Sequence, residues 1–443
     1  MRSKMLKKLF VLPLFPVAIA GGQTTLPSVQ DSLRPISLTE AVSLAQRNSP
    51  AAVQARGQLR TTASAVRSAY GAFLPSLSMS MQQRKQGGQR FDPLRGPVTQ
   101  ASSPWQYSMG FSSGLELFDG GRRFAEIKAA KADVDAAEAN EIAQRFNIAL
   151  SVKREYANVL AARESESAAR AQLEQAEAQL RASVARVQAG AATMSDSLRS
   201  VIQVGNARLA LITAQNNLRV ASASLTRFVG TPFMVTANPA DTLERVVTDL
   251  DSIALADLAR RGPAVVQAER SLRAASAGEF AAKTAYLPTI NLSFNYSGNR
   301  QDSSYVLTFG PYAYGRSFTV SMNFPLFNNF NREDQVLRAR VAEDNAAAQF
   351  RDAQLAAQQS IIQQIGVLRT AEERIRIQQA SVLAAEEDLR VMQQRYQLGA
   401  STLLDLLTSQ SQLNQARAAL IQARQDYRIA RAQIEAIIGR DLN

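Results

Sequence analysis

The chain has 443 residues with no Cys and no His, which excludes disulfides, thiol nucleophiles, imidazole bases and most transition-metal sites. Its formal charge is +12 and its pI is near 10. An enzyme would have to work with Ser, Lys, Tyr, Asp or Glu alone, and no Ser sits in a G-x-S-x-G elbow between a strand and a helix, since Gly110-Phe111-Ser112-Ser113-Gly114 falls inside a strand pattern.

Residues 1–20 read as a secretory signal peptide. Arg2, Lys4, Lys7 and Lys8 precede the apolar run Leu9–Ala20, and Ala18-Ile19-Ala20 has the small-residue cleavage pattern. Removing those four charges leaves 46 Lys and Arg against 38 Asp and Glu. The excess is interspersed along helical patterns, so it reads as a solvated face and not as a nucleic-acid footprint. No later apolar run is long enough for a transmembrane helix.

The remainder is one unit written twice. Residues 38–230 form the first copy and 251–439 the second, joined by a connector over 231–250. Pro50 recurs as Pro263 and Phe73-Leu74-Pro75 as Tyr286-Leu287-Pro288. Leu117-Phe118-Asp119 recurs as Leu326-Phe327-Asn328, and Gly190 as Gly399. Each copy opens with an Ala-rich helix, predicted over 38–72 and 251–285, which the aromatic–Leu–Pro stops. Paired strands follow, predicted over 76–84 and 105–117, then 289–297 and 316–325. Ile290, Leu292, Phe294 and Tyr296 alternate with Asn291, Ser293, Asn295 and Ser297, a period of two. A soluble sandwich alternates in the same way. After an export signal the pattern also fits an outer-membrane barrel, apolar toward lipid and polar toward a lumen. Four strands cannot close a barrel, so several chains must contribute, and three would supply twelve strands.

Long proline-free helices are predicted over 122–189 and 331–398, each roughly 100 Å long. They turn back into helices over 193–228 and 402–438. Ile361, Leu368, Ile375, Val382, Leu389 and Tyr396 recur every seventh residue, and the seam continues through Leu406, Leu413, Leu420, Tyr427 and Ile434. Glu166 interrupts the first copy's seam and reads as a solvated or paired charge. The turns RVQAGAATMSD (186–196) and RYQLGASTLLD (395–405) share Arg, Gln, Gly, Ala, Thr and Asp at matching places. They are the ends of two antiparallel helical hairpins, far from the strands. Gly190 and Gly399 suit left-handed helix ends. Thr193-x-x-Asp196 and Thr402-x-x-Asp405 have capping-box spacing.

The doubled helix–hairpin–long-helix unit, with ISLTEAVSLAQRNSPAAVQA (36–55) and the segment 395–439, resembles the TolC family of outer-membrane efflux proteins. The resemblance implies an α+β chain in a homotrimer. Its twelve-stranded outer-membrane barrel would continue into a periplasmic helical tunnel, with 231–250 as an equatorial connector. It implies no chemistry and no cofactor. The partners it implies are membrane lipid, a periplasmic adaptor and an inner-membrane pump, either a drug or metal antiporter or an ABC transporter. The tips Gly190, Ala191, Leu398, Gly399 and Ala400 are then the adaptor-docking residues, with Ala after each Gly where the family usually has Leu. Asp405 matches the first of two acidic rings that some members place at the tunnel constriction, and Thr408 occupies the second. Tyr396 matches a tyrosine of the closing network, Ser401 stands where some members have arginine, and Asp196 is the repeat counterpart of Asp405. Capping alone for Asp405 and core packing alone for Tyr396 are the competing readings. The same fold could serve type I protein secretion or metal-ion efflux. A trimeric coiled-coil surface protein explains the heptads but not the two hairpins.

Overall fold

The computed structural model describes residues 33–85, 89–94, 96–99, 104–242, 252–305 and 311–442. The expected signal peptide, residues 1–20, lies outside them, as does 243–250 of the connector. No described helix is long and apolar enough to cross a membrane.

The chain enters through β1 (Arg34–Ile36), α1 (Leu38–Asn48) and α2 (Pro50–Gly71). The single helix expected over 38–72 is therefore two. Pro50 has no N–H to donate, and it drives Ser49 into extended backbone at φ −63°, ψ 144°. Ser49 serves both helices. Its N–H donates to Ala45 O at 2.9 Å, and its Oγ accepts from Ala52 N at 3.3 Å. The second copy breaks at the same place, into α5 (Ser252–Ala259) and α6 (Pro263–Lys283), where 251–285 was expected to be continuous. Gly262 replaces Ser49 there because space forbids a side chain. A Cβ would lie 2.1 Å from the carbonyl oxygen of Ile437.

Four strands form one antiparallel sheet in the order β2 (Ser76–Arg84), β5 (Trp105–Phe118), β7 (Thr289–Asp302), β8 (Ala313–Asn323). The β5–β7 pairing joins the two copies. β7 runs five residues beyond its expected end and β8 begins three residues early, because partner strands continue to pair there. A small hairpin, β3 (Gln89–Asp92) and β4 (Gly96–Thr99), lies between β2 and β5 in the chain. One face carries apolar rows such as Met79–Phe111–Tyr296 and Leu115–Leu292–Val320. The other is small and polar, and Ser78 Oγ meets Ser112 Oγ at 2.6 Å. β2 and β8 are both edges.

Two helices of 67 residues, α3 (Arg122–Gln188) and α7 (Asn331–Gln397), leave the sheet. Each returns in a helix of 36 residues, α4 (Met194–Val229) and α8 (Leu403–Ile438). At 1.5 Å per residue the longer pair extend about 100 Å. The heptad seam is the core: Ile361, Leu368, Tyr427 and Ile434 are buried in one cluster, and Leu389, Tyr396, Leu406 and Leu413 in another nearer the tip. Val152, Val159, Leu225 and Val229 form the first copy's cluster. That cluster also takes in Ile36 of β1 and Val235 of β6 (Val235–Ala237), which pair in parallel. Tyr156 secures this pair, accepting from Asn238 N at 3.0 Å beside Ile36 O and Asp241. Lys153 of α3 bonds Glu435 of α8 at 2.6 Å and Asp441 at 2.7 Å, tying the copies together at mid-height. Glu166 pairs with Arg170 at 2.6 Å, one turn on.

The paired helix tips as the candidate functional site

Both hairpins end in the same hydrogen-bonded turn. Gly190 and Gly399 take φ of +71° and +74°, the left-handed region that side-chain-bearing residues enter at a cost. Ala191 N donates to Arg186 O and Ala400 N to Arg395 O, each at 2.8 Å. Gly190 N reaches Val187 O at 3.0 Å and Gly399 N reaches Tyr396 O at 3.2 Å. These paired bonds satisfy the last carbonyls of each outgoing helix. Nothing lies within 4 Å of a Cβ built on either glycine, so the turns face open space.

The returning helices start with reciprocal caps. Thr402 N and Thr402 Oγ1 donate to Asp405 Oδ2 at 2.9 and 2.8 Å, and Asp405 N donates to Thr402 Oγ1 at 3.2 Å. The Thr402 N–H, then its hydroxyl, hold the Asp405 carboxyl below the usual carboxylate range. Asp196 forms the same box with Thr193, both bonds at 3.3 Å. Asp405 and Thr408 are exposed on one helix face, and Thr408 Oγ1 donates to Leu404 O at 2.9 Å.

Tyr396 is a buried knob against Leu389, Leu403, Leu406 and Leu413. Its hydroxyl has no hydrogen-bond partner among the described residues. Burial raises its pKa and Asp196 adds to the rise, against the opposing Arg186 charge. Arg186 is the residue that sequence reasoning passed over. Its guanidinium lies 4.5 Å from the centroid of the Tyr396 ring, and Nη1 donates to Tyr396 O at 2.6 Å. The first hairpin's tip is thereby held on the second's. The repeat alignment displays the matching Arg186 and Arg395, but not that only Arg186 crosses to the other hairpin; Arg395 Nη2 turns to its own Ala400 O at 3.4 Å. The tips also expose apolar side chains: Leu398 is 83 % exposed, Met194 65 % and Leu404 64 %. Ala191 and Ala400 are exposed beside them.

The outer membrane efflux protein family model matches residues 41–231 and 254–440, once for each copy. This chain belongs to that family. Protein CyaE of Bordetella pertussis is 29 % identical over 403 residues, covering 88 % of this chain and 81 % of CyaE. The pyoverdine export outer membrane protein OpmQ of Pseudomonas aeruginosa is 26 % identical over 417 residues, with 92 % and 86 % covered. Among solved structures, the outer membrane protein VceC of Vibrio cholerae superposes with a TM-score of 0.70 at 18 % identity, covering 92 % of this chain and 97 % of VceC. The protein is an outer-membrane channel component of an efflux or export system, extending into the periplasm.

The Arg186 contact makes a local prediction. Arg186→Met keeps the stem and removes the guanidinium, so about 1 kcal/mol of tip stability is lost. Amide exchange over 396–402 accelerates about fivefold. Unchanged exchange there would mean that the contact contributes nothing to holding the hairpins together.

Proposed function

We propose that three copies close their sheets into one twelve-stranded barrel, and their hairpins into a periplasmic tunnel, forming a passive conduit. The observation that carries this is the pair of open edges: β2 and β8 flank a four-stranded sheet with an exposed apolar face. In lipid such edges leave backbone N–H and C=O groups unsatisfied, and pairing β8 with a neighbour's β2 removes both. The helices support the same assembly. Within the chain α3 packs on α8. The repeat converts α3 into α7 and α8 into α4, so α7 is matched to a neighbour's α4. Both carry uncovered apolar side chains: Ile202 and Leu209 on α4 are 63 % and 64 % exposed, and Leu355 and Ile362 on α7 are 67 % and 62 % exposed. The mass of the detergent-solubilised particle should equal three chains; a stable monomer overturns the assembly.

The tips dock onto a periplasmic adaptor that couples the conduit to an inner-membrane pump, where the transport energy is spent. Exposed Leu398 and the two open glycine turns support this role. Gly190→Val and Gly399→Val each strain a left-handed turn by about 1–2 kcal/mol. Together they should weaken adaptor cross-linking and export at an unchanged protein level. Full export by the double variant would rule the turns out as the docking surface.

At the constriction, Asp405 supplies three converging carboxylates, with Tyr396, Thr408 and Asp196 around them. Three like charges focus a negative potential that favours cations and admits multivalent blockers. The Thr402 cap lowers the carboxyl's pKa, so the charged cap persists as pH falls through the ordinary carboxylate range and is lost only below it. Asp405→Asn keeps a side-chain oxygen for the cap and removes the charge. Single-channel recording should show reduced cation preference and no blockade by a trivalent cation. An unchanged current–voltage curve would leave Asp405 a helix cap only.

A further inference from the structure

All four long strands join their helices at one end: α2 feeds β2, β5 feeds α3, α6 feeds β7 and β8 feeds α7. With the helices in the periplasm, the opposite strand ends reach the outer leaflet. On the apolar face, the charges among the described residues lie away from the helix end of each strand, Lys85 past the end of β2 and Arg316 at the fourth residue of β8. Lys85 lies over the Trp105 ring at 5.6 Å, and Arg300 lies 6.0 Å from the Tyr107 ring centroid. Arg316 ends the Met79–Phe111–Tyr296 row, below the Trp105–Asp302 pair, and stands opposite Tyr296, whose ring stacks on Tyr314 at 5.3 Å. Asp302 neutralises Arg300 at 2.5 Å, whereas Lys85 and Arg316 have no ion-pair partner among the described residues. At the helix end the same face carries Leu77, Leu115, Ile290 and Met322, all uncharged.

A cation placed only to anchor a barrel at a water interface serves equally at both ends of a strand. This face has cations at one end and none at the other. We propose that Lys85 and Arg316, on opposite edges of the sheet and each beside aromatic rings, each bind a phosphate group of an anionic acylated lipid of the outer leaflet. Ammonium and guanidinium donate to phosphate oxygens, and the tyrosine and tryptophan rings cover the acyl–headgroup boundary. The inference rests on the barrel reading above.

Trp105 is the chain's single tryptophan, so its fluorescence reports this belt directly. The trimer is titrated with phosphatidylcholine vesicles carrying a bisphosphorylated diglucosamine lipid, or the same lipid dephosphorylated. The phosphorylated lipid should give a saturable emission change, weakened by salt, which the dephosphorylated lipid does not match. In Lys85→Gln/Arg316→Gln the midpoint should rise about 25-fold, about fivefold for each cation removed. Inorganic phosphate should produce no change. Equal responses to the two lipids overturn the proposal, as does an unaltered midpoint in the double variant. A response to inorganic phosphate alone overturns the lipid as the ligand. If the variant does not assemble, the comparison of the two lipids on the unmodified protein still decides. Flotation with vesicles of phosphatidylcholine alone tests the barrel reading separately: a chain that does not float has no lipid-facing sheet.

Discussion

Everything above and below the membrane boundary hangs on the junction where strand becomes helix. At the end of β5, Asp119 and Arg123 form an ion pair that is almost wholly buried. Asp119 Oδ2 accepts from Arg123 N at 2.9 Å and from Arg123 Nε at 2.8 Å. The guanidinium also lies 4.6 Å from the centroid of the Phe73 ring and donates to Ala72 O at 3.3 Å. One side chain thus holds the end of α2, the end of β5 and the start of α3 in a fixed relation. Removing either partner would leave a buried charge uncompensated, at about 3–5 kcal/mol. The second copy keeps the arginine and changes the acid: Arg332 lies 4.4 Å from the centroid of the Tyr286 ring and donates to Pro325 O at 3.3 Å, with Asn328 in place of Asp119. This accounts for the recurrence of aromatic–Leu–Pro together with Leu-Phe-Asp/Asn. The two motifs are the halves of one clamp. A helix about 100 Å long multiplies any error in its starting direction, so the clamp decides where the tips arrive.

The junction also shows the limits of the repeat. Both copies need two left-handed residues in the turn before the long helix. The first uses Gly120 and Gly121; the second uses Asn329 and Phe330, at φ of +58° and +61°. Phenylalanine carries about 1–2 kcal/mol of strain there, offset in part by its edge-on contact with Phe327 at 5.3 Å. The copies differ at the tips as well, since Arg186 clasps the other hairpin and Arg395 does not. Duplication supplies matched lengths, 67 and 36 residues in both copies, while single substitutions give each copy its own neighbours.

Function follows from what the fold leaves uncovered. The sheet has one apolar and one polar face and two open edges. The helical tips are exposed turns with apolar side chains around them. No described residues form a cluster that would hold a metal ion.

The sequence alone determined the long helices, the glycine turns and the four strands of alternating character. Each rests on interactions within a few residues of chain: the absence of proline, a seven-residue seam, a left-handed glycine followed by Thr-x-x-Asp, and a period of two. The break at Ser49 is just as local, and Pro50 and Pro263 mark it in both copies, but their Ala-rich flanks read as one continuous helix. Tertiary structure alone decided the rest. The β1–β6 pair has three residues per strand, too few for any periodicity, and joins segments about two hundred residues apart. Arg186 meets Tyr396 across 210 residues, and Lys153 meets Glu435 across 282. Such contacts have no signature in sequence, because they exist only once two helices of fixed length and direction have brought distant side chains to the same height.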